Sequence, residues 1–197
     1  GGRSRLSVTL HGVQFDRGIF VDILKVGGVA CFSSLQSVAT VVIFTRLLAP
    51  FGTVCLAGYG IGTRLEFVLA PIAGSIGTAS IPIVGMNVGA GNIGRARRVT
   101  WCAGVIAFCM SGTVGLLFAI FPTLWAERFT AEPAVIAAAS EYLSLAGPTF
   151  GFLGLGMAMY FASQGSGKIL AAVLAQSGRL LTVIVGGLLL LHLNAPA

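Results

Sequence analysis

The sequence predicts an all-α, polytopic transmembrane helical bundle with about five spans. Three observations carry this. Of 197 residues, 56% are hydrophobic and the mean hydropathy is +0.95. Only 9% are charged, against roughly 25% in an ordinary soluble domain, too few to cover a globule of this size. The apolar residues also come in long unbroken runs, such as Leu188 to Leu191 and Val41 to Phe44. Strands of a membrane barrel would alternate apolar and polar side chains over about ten residues. High apolar content with modest net charge excludes disorder.

A spanning helix needs about 20 mostly apolar residues. The runs that qualify cover about 23–48, 54–86, 99–125, 134–162 and 169–193. The first stops at Pro50-Phe51-Gly52. The second is long for one span and contains Arg64, Glu66 and Pro71. Proline lacks a backbone donor and clashes with the preceding turn, so Pro71 is expected to bend it. The third ends near Pro122. The fourth begins near Pro133, with Glu141 in its amphipathic first turns. Residues 1–22 read as the end of a cytoplasmic linker and 194–197 as an outer loop leading to a further helix. Together the two ends suggest a piece of a longer polypeptide.

The net charge is +6. Arg3, Arg5, Arg17, Lys25, Arg95, Arg97, Arg98 and Lys168 fall on one side of the spans. Only Arg46 and Arg128 fall on the other, while Arg64 and Arg179 lie inside spans. By the positive-inside rule the basic side is cytoplasmic, the N-terminus included. The charge is therefore a topology signal, and no basic patch interleaved with aromatics points to nucleic acid as a partner. Partners expected instead are the lipid bilayer and the rest of a helical bundle. Small residues four apart, Gly58 with Gly62, Gly27 with Cys31 and Gly74 with Thr78, allow helix backbones to approach closely in lipid.

Intramembrane charge is expensive and marks candidate functional residues. Arg64 and Glu66 are two apart on a helix, so they do not face each other. Glu66 is a candidate to take a proton or attract a cation, with Arg64 tuning it. Gln36 is a candidate to line a cavity or to bond across to another helix. Arg179 is expected to snorkel to the interface, and Gln164 and Gln176 to lie at it. No metal site is read: neither His11 nor His192 has a ligand neighbour at metal spacing. Cys31, Cys55, Cys102 and Cys109 form no C-x-x-C pair. Gln164-Gly165-Ser166-Gly167-Lys168 fails as a phosphate loop, because Ala162 replaces its first Gly and Ile169 follows the Lys. Neither G-x-S-x-G nor H-E-x-x-H occurs, and no enzyme is expected. The stretch Pro82 to Arg98 (PIVGMNVGAGNIGRARR) reads as a helix end, a Gly-rich turn in which Asn87 bonds local backbone, and a basic cluster opening the next helix.

These residues resemble the multidrug and toxic compound extrusion (MATE) family of efflux transporters, in its C-terminal lobe. The matching pieces run in order. They are Leu56 to Glu66, including Tyr59; then Pro82, Gly85, Asn87, Gly89, Ala90 and Gly91 with Arg95 and Arg97. Phe129 to Pro133 with Glu141-Tyr142-Leu143 follows, and then Gln164 to Lys168. The resemblance implies five of the six helices of one lobe in a two-lobe, twelve-helix transporter of the plasma (inner) membrane. Such a protein expels small organic cations by alternating access, in antiport with H⁺ or Na⁺ and without a cofactor. Its partner would be the N-terminal lobe of the same polypeptide. Pathway candidates are then Glu66, Arg64, Gln36 and Tyr59, and hinge or loop candidates Pro71, Pro82, Asn87, Gly89 and Gly91. Met86 stands where the family often has Gln. The first span lacks the carboxylates some members use for Na⁺, with no acid between Val26 and Thr45. Two alternatives remain: a flippase for lipid-linked oligosaccharides, which needs several basic residues in its cavity, and a non-transporting truncated membrane protein.

Overall fold

A computed structural model describes residues 17–167 and 170–193. The described residues are helical, with no strand. The helices are α1 (Arg17–Leu48), α2 (Thr53–Gly89), α3 (Ile93–Ile120), α4 (Thr123–Ala126), α5 (Pro133–Ala146), α6 (Phe150–Gly165) and α7 (Leu170–Leu193). Four segments are long and apolar enough to cross a membrane: Gly27–Phe51, Thr53–Gly89, Ile93–Ile120 and Pro133–Gly165. The apolar part of α7, Val173–Gly187, is shorter. The end carrying the α2–α3 turn is called the near end below, and the opposite one the far end.

Helix α2 is the spine. Its buried residues include Ile61, Leu65, Leu69, Ala73 and Val84, at roughly helical repeats along one face. Each anchors a different layer of core. Ile61 meets Ala126, Val135 and Ala139 at the far end. Leu65 and Leu69 meet Leu143 and Phe150. Ala73 meets Ala107 and Ala158, and Val84 meets Ala96 and Ala162 at the near end. The four layers bind α2, α3, α5 and α6 into one core. The exposed prolines Pro71 and Pro82 stand on another face of α2, which continues as one helix through both.

Small residues set the helix spacing, as the four-residue pattern predicts for Gly58 and Gly62. A methyl group on Gly58 would stand 2.7–2.9 Å from Ala138 and Ala139, and one on Gly62 would enter the Tyr142 ring. Gly74 is less crowded, at 3.5 Å from Phe161, and Gly27 has nothing within 4 Å. The small-residue reading therefore holds for α2 and not for the start of α1.

Three boundaries differ from expectation. Helix α1 begins at Arg17, so the last described residues of the expected linker 1–22 are helical; residues 1–16 and 194–197 lie outside the described residues. The third span runs from Ile93 to Ile120 rather than to Trp125. The residue before a proline is pushed out of helical geometry, and Phe121 (φ −122°, ψ 63°) leaves the helix ahead of Pro122. Trp125 lies instead on the short α4, where its indole N–H donates to the Ile61 carbonyl at 3.0 Å. The fourth span is two helices joined by a 3₁₀ turn, Gly147–Thr149. Pro148 has no N–H to continue the helical ladder. The turn also lets Gly147 press against Gly115 and Ala119 of α3.

Candidate functional site

A cleft of about 980 Å³ opens in the bundle. Its walls come from α1 (Ser33, Ser34, Ser37), α2 (Glu66), α5 (Tyr142), α6 and α7 (Gln176, Arg179). Most of the α6 wall is aromatic or thioether, with Phe152, Met157, Met159, Tyr160 and Phe161. One carboxylate and one guanidinium, Glu66 and Arg179, face the same cleft.

The Glu66 side is built on one face of α2, at positions 59, 62 and 66. Tyr142 of α5 lies against Gly62, and its hydroxyl donates to Glu66 Oε1 at 2.6 Å. Only the missing side chain of Gly62 lets the ring come this close. Tyr59, one turn back, holds the ring from its edge, with centroids 5.4 Å apart and planes at 90°. Phe44 of α1 in turn meets Tyr59 at 5.1 Å. A carboxylate inside a span needs such a donor, because the hydrocarbon around the helix offers none.

The opposite wall is a polar seam between α1 and α7. Ser33 donates to Gln176 Oε1, and Gln176 Nε2 donates to Ser37 at 3.3 Å, so one amide clamps two serines a turn apart. Gln36 Nε2 donates to Ser177 at 2.6 Å, and Ser177 donates onward to the Val173 carbonyl. Gln36 is buried, and its Oε1 has no hydrogen-bond partner.

The sequence candidates therefore separate. Glu66 lines the cleft, and Tyr59 braces the residue that bonds it. Gln36 takes the second of its two readings: it bonds across to α7 rather than lining the cleft. Arg64 stands apart from Glu66, exposed, with its guanidinium 4.8 Å above the Phe129 ring in the far-end loop. The charge that shares the cleft with Glu66 is Arg179, read from sequence as snorkelling. Gln176, read as interfacial, is a clamp seven residues into the described part of its helix. Tyr142 was legible only as part of a motif, since nothing local says which acid it meets.

The Pro82–Arg98 stretch is a tight near-end turn. Asn87 donates through Nδ2 to the Ile83 carbonyl at 2.7 Å, and its own carbonyl receives the Asn92 N–H at 2.8 Å. Gly91 supplies the positive φ, +75°, that reverses the chain. Gly89 ends α2 with open space around it. These residues lie away from the cleft.

A multi-pass α-helical membrane protein with a largely apolar cleft that holds one acid and one arginine has a build that suits a membrane transporter. The MatE family model matches residues 29–189, and the chain belongs to that family of transporters. It is 26% identical over 132 residues to the probable multidrug resistance protein NorM of Neisseria meningitidis serogroup B, covering 67% of this chain and 29% of that protein. It is 26% identical over 149 residues to the probable multidrug resistance protein NorM of Thermotoga maritima, covering 76% and 32%. It is also 26% identical over 126 residues to the FAD transporter of Shewanella oneidensis, covering 64% and 28%. The matched stretch thus spans about a third of the length of these relatives.

Proposed function

We propose that the chain is part of one lobe of a secondary active transporter that exports small organic cations by alternating access. The observation that carries this reading is the cleft, where Glu66 faces a wall of aromatic and methionine side chains. A lipophilic cation is met there by a carboxylate and by ring faces, both of which attract positive charge. The names of the NorM relatives, probable multidrug resistance proteins, support drug export.

Coupling follows from one carboxylate serving two cations. While Glu66 is ionised, the cleft carries one negative and one positive group. A proton on Glu66 leaves Arg179 uncompensated, and that field repels a bound organic cation. Entry of H⁺ then favours release of the substrate. Na⁺ is the other coupling ion open to this site, through the same carboxylate and the serine hydroxyls of α1. The FAD transporter among the relatives marks an anionic alternative. The two described charges of this cleft cancel, and it is the wall of aromatic faces beside Glu66 that favours a cation. The remaining lobe of the same polypeptide and the plasma (inner) membrane complete the proposal, with the N-terminal end of this chain at the cytoplasmic face.

The test is efflux by the whole transporter reconstituted in vesicles, with a fluorescent organic cation and an imposed pH or Na⁺ gradient. Gradient-driven efflux is expected for the native protein and a loss of at least about tenfold for Glu66→Gln. Unchanged efflux in Glu66→Gln removes Glu66 from the coupling, and failure to move any organic cation overturns the substrate class.

A further inference from the structure

A second concavity lies on the outside of the bundle, between α2 and α3 at the near end. It has a volume of about 770 Å³. Helix α2 contributes Ile76, Ala79, Ser80 and Ile83, and α3 contributes Gly94, Arg95, Arg98, Val99, Cys102, Ala103 and Ile106. On each helix these positions recur at three or four residues, so each set forms one face. The floor is apolar in effect, because the hydroxyl of buried Ser80 is spent on the Gly77 carbonyl at 2.6 Å. Exposed Ile83 and Ile106 form parts of the rim. From Gly94 to Ile106 the groove is roughly 18 Å long, about the depth of one leaflet of a hydrocarbon core some 30 Å thick.

Both exposed arginines stand at the end of this groove where α3 begins. The turn places them there: the Asn92 N–H on the Asn87 carbonyl ties the start of α3 to the last turn of α2. Arg97, next to Arg98 in sequence, does not line the groove. The acids whose side chains are described, Glu66, Glu127, Glu132 and Glu141, belong to the first half of α2 or to the segments from α4 to α5. None of them neutralises this cluster.

We propose that this groove is a binding site for one anionic phospholipid, its phosphate on Arg95 and Arg98 and an acyl chain along the α2–α3 crevice. Two features select that occupant. A zwitterionic lipid would bring its own cation against the two guanidinium groups. A soluble anion would use the arginines and leave the apolar crevice empty. Basic pockets between transmembrane helices recognise anionic headgroups on these terms. The site shares no lining residue with the cleft at Glu66.

The test is lipid binding to the whole transporter by native mass spectrometry, titrated with phosphatidylglycerol and with phosphatidylcholine. The native protein is expected to retain one phosphatidylglycerol in preference to phosphatidylcholine. Arg98→Gln should weaken it about fivefold, the worth of one arginine near a lipid surface. Arg97→Gln removes the same charge one residue away and should leave binding unchanged. Ala79→Phe fills the crevice from an exposed position with both arginines intact, and should weaken binding to the same degree or more. Equal losses in Arg97→Gln and Arg98→Gln overturn the proposal in favour of diffuse attraction. Unchanged binding in Ala79→Phe overturns it in favour of a headgroup or free-anion contact, and equal retention of the two lipids overturns it outright.

Discussion

Helices α2, α3, α5 and α6 interlock through glycine and alanine, whereas α1 and α7 are joined to each other by glutamine and serine. In the interlocked group a methyl added at Gly154 would stand 2.5 Å from the Ala107 carbonyl oxygen and the Ser111 hydroxyl, and one at Gly77 would stand 2.8 Å from the Phe161 ring. In the α1–α7 pair, Gly28 and Gly178 have nothing within 4 Å, and close approach is confined to the far end of the pair, where Gly187 admits the Leu47 side chain. Lipid offers no hydrophobic drive between helices. Close packing therefore dominates one region, while hydrogen bonds and the Gly187–Leu47 contact hold the other in register. The cleft lies where the two meet, with its carboxylate on the interlocked side and its guanidinium on the paired side.

Substitutions in the interlocked group should have the largest effect. Gly154→Val is expected to destabilise the protein by about 3 kcal/mol through overpacking, read as a lowered thermal unfolding midpoint in detergent. Gly28→Val in α1 should shift that midpoint by no more than its helix propensity does. Equal effects at the two sites would erase the contrast.

At the boundary, Tyr142→Phe strips Glu66 of its donor and should destabilise by about 2 kcal/mol, typical of a hydrogen bond to a charged group. Gly62→Ala should reproduce part of that loss with Tyr142 still present, because it pushes the ring away. If Gly62→Ala leaves the unfolding midpoint and efflux untouched, Gly62 does not position Tyr142.

Within the pair, Gln176→Leu removes both serine contacts and should cost about 1 kcal/mol, at the measured average of some 0.6 kcal/mol per interhelical bond in a bilayer. Gln36→Leu should be nearly neutral, because it removes an unpartnered buried oxygen along with one good bond. The smallest effect is expected for Arg64→Ala, about 0.5 kcal/mol from its exposed contact with Phe129, with efflux unchanged. A large loss of efflux in Arg64→Ala would return Arg64 to the pathway.

Much of this contrast was readable in advance at some residues and closed at others. Gly58 and Gly62 announced a close contact by their spacing, and Glu66 announced itself by its cost in lipid. From sequence Arg64 is a pathway candidate and Arg179 is expected to snorkel; in the structure Arg179 lines the cleft and Arg64 does not. Depth along a helix can be counted from residue numbers, but the direction a side chain faces depends on neighbours. Gln176 shows the same limit: it looked interfacial by position, and its role comes from Ser33 and Ser37, 143 and 139 residues away. The break at Gly147–Thr149 coincides with Pro148, but the apolar run continues through it and hydropathy alone does not show it.

The sequence by itself determined the helices, the apolar surface, the asymmetry of basic residues and the ordered family motifs. All of these follow from local composition and a one-dimensional hydropathy pattern. Only the tertiary structure decided that Glu66 meets Tyr142 and shares its cleft with Arg179, that the Arg64 guanidinium stands over Phe129, and that Arg95 and Arg98 stand over an apolar groove. Such pairings depend on how far each helix is rotated about its own axis. That rotation is set by which small residues let a neighbour in.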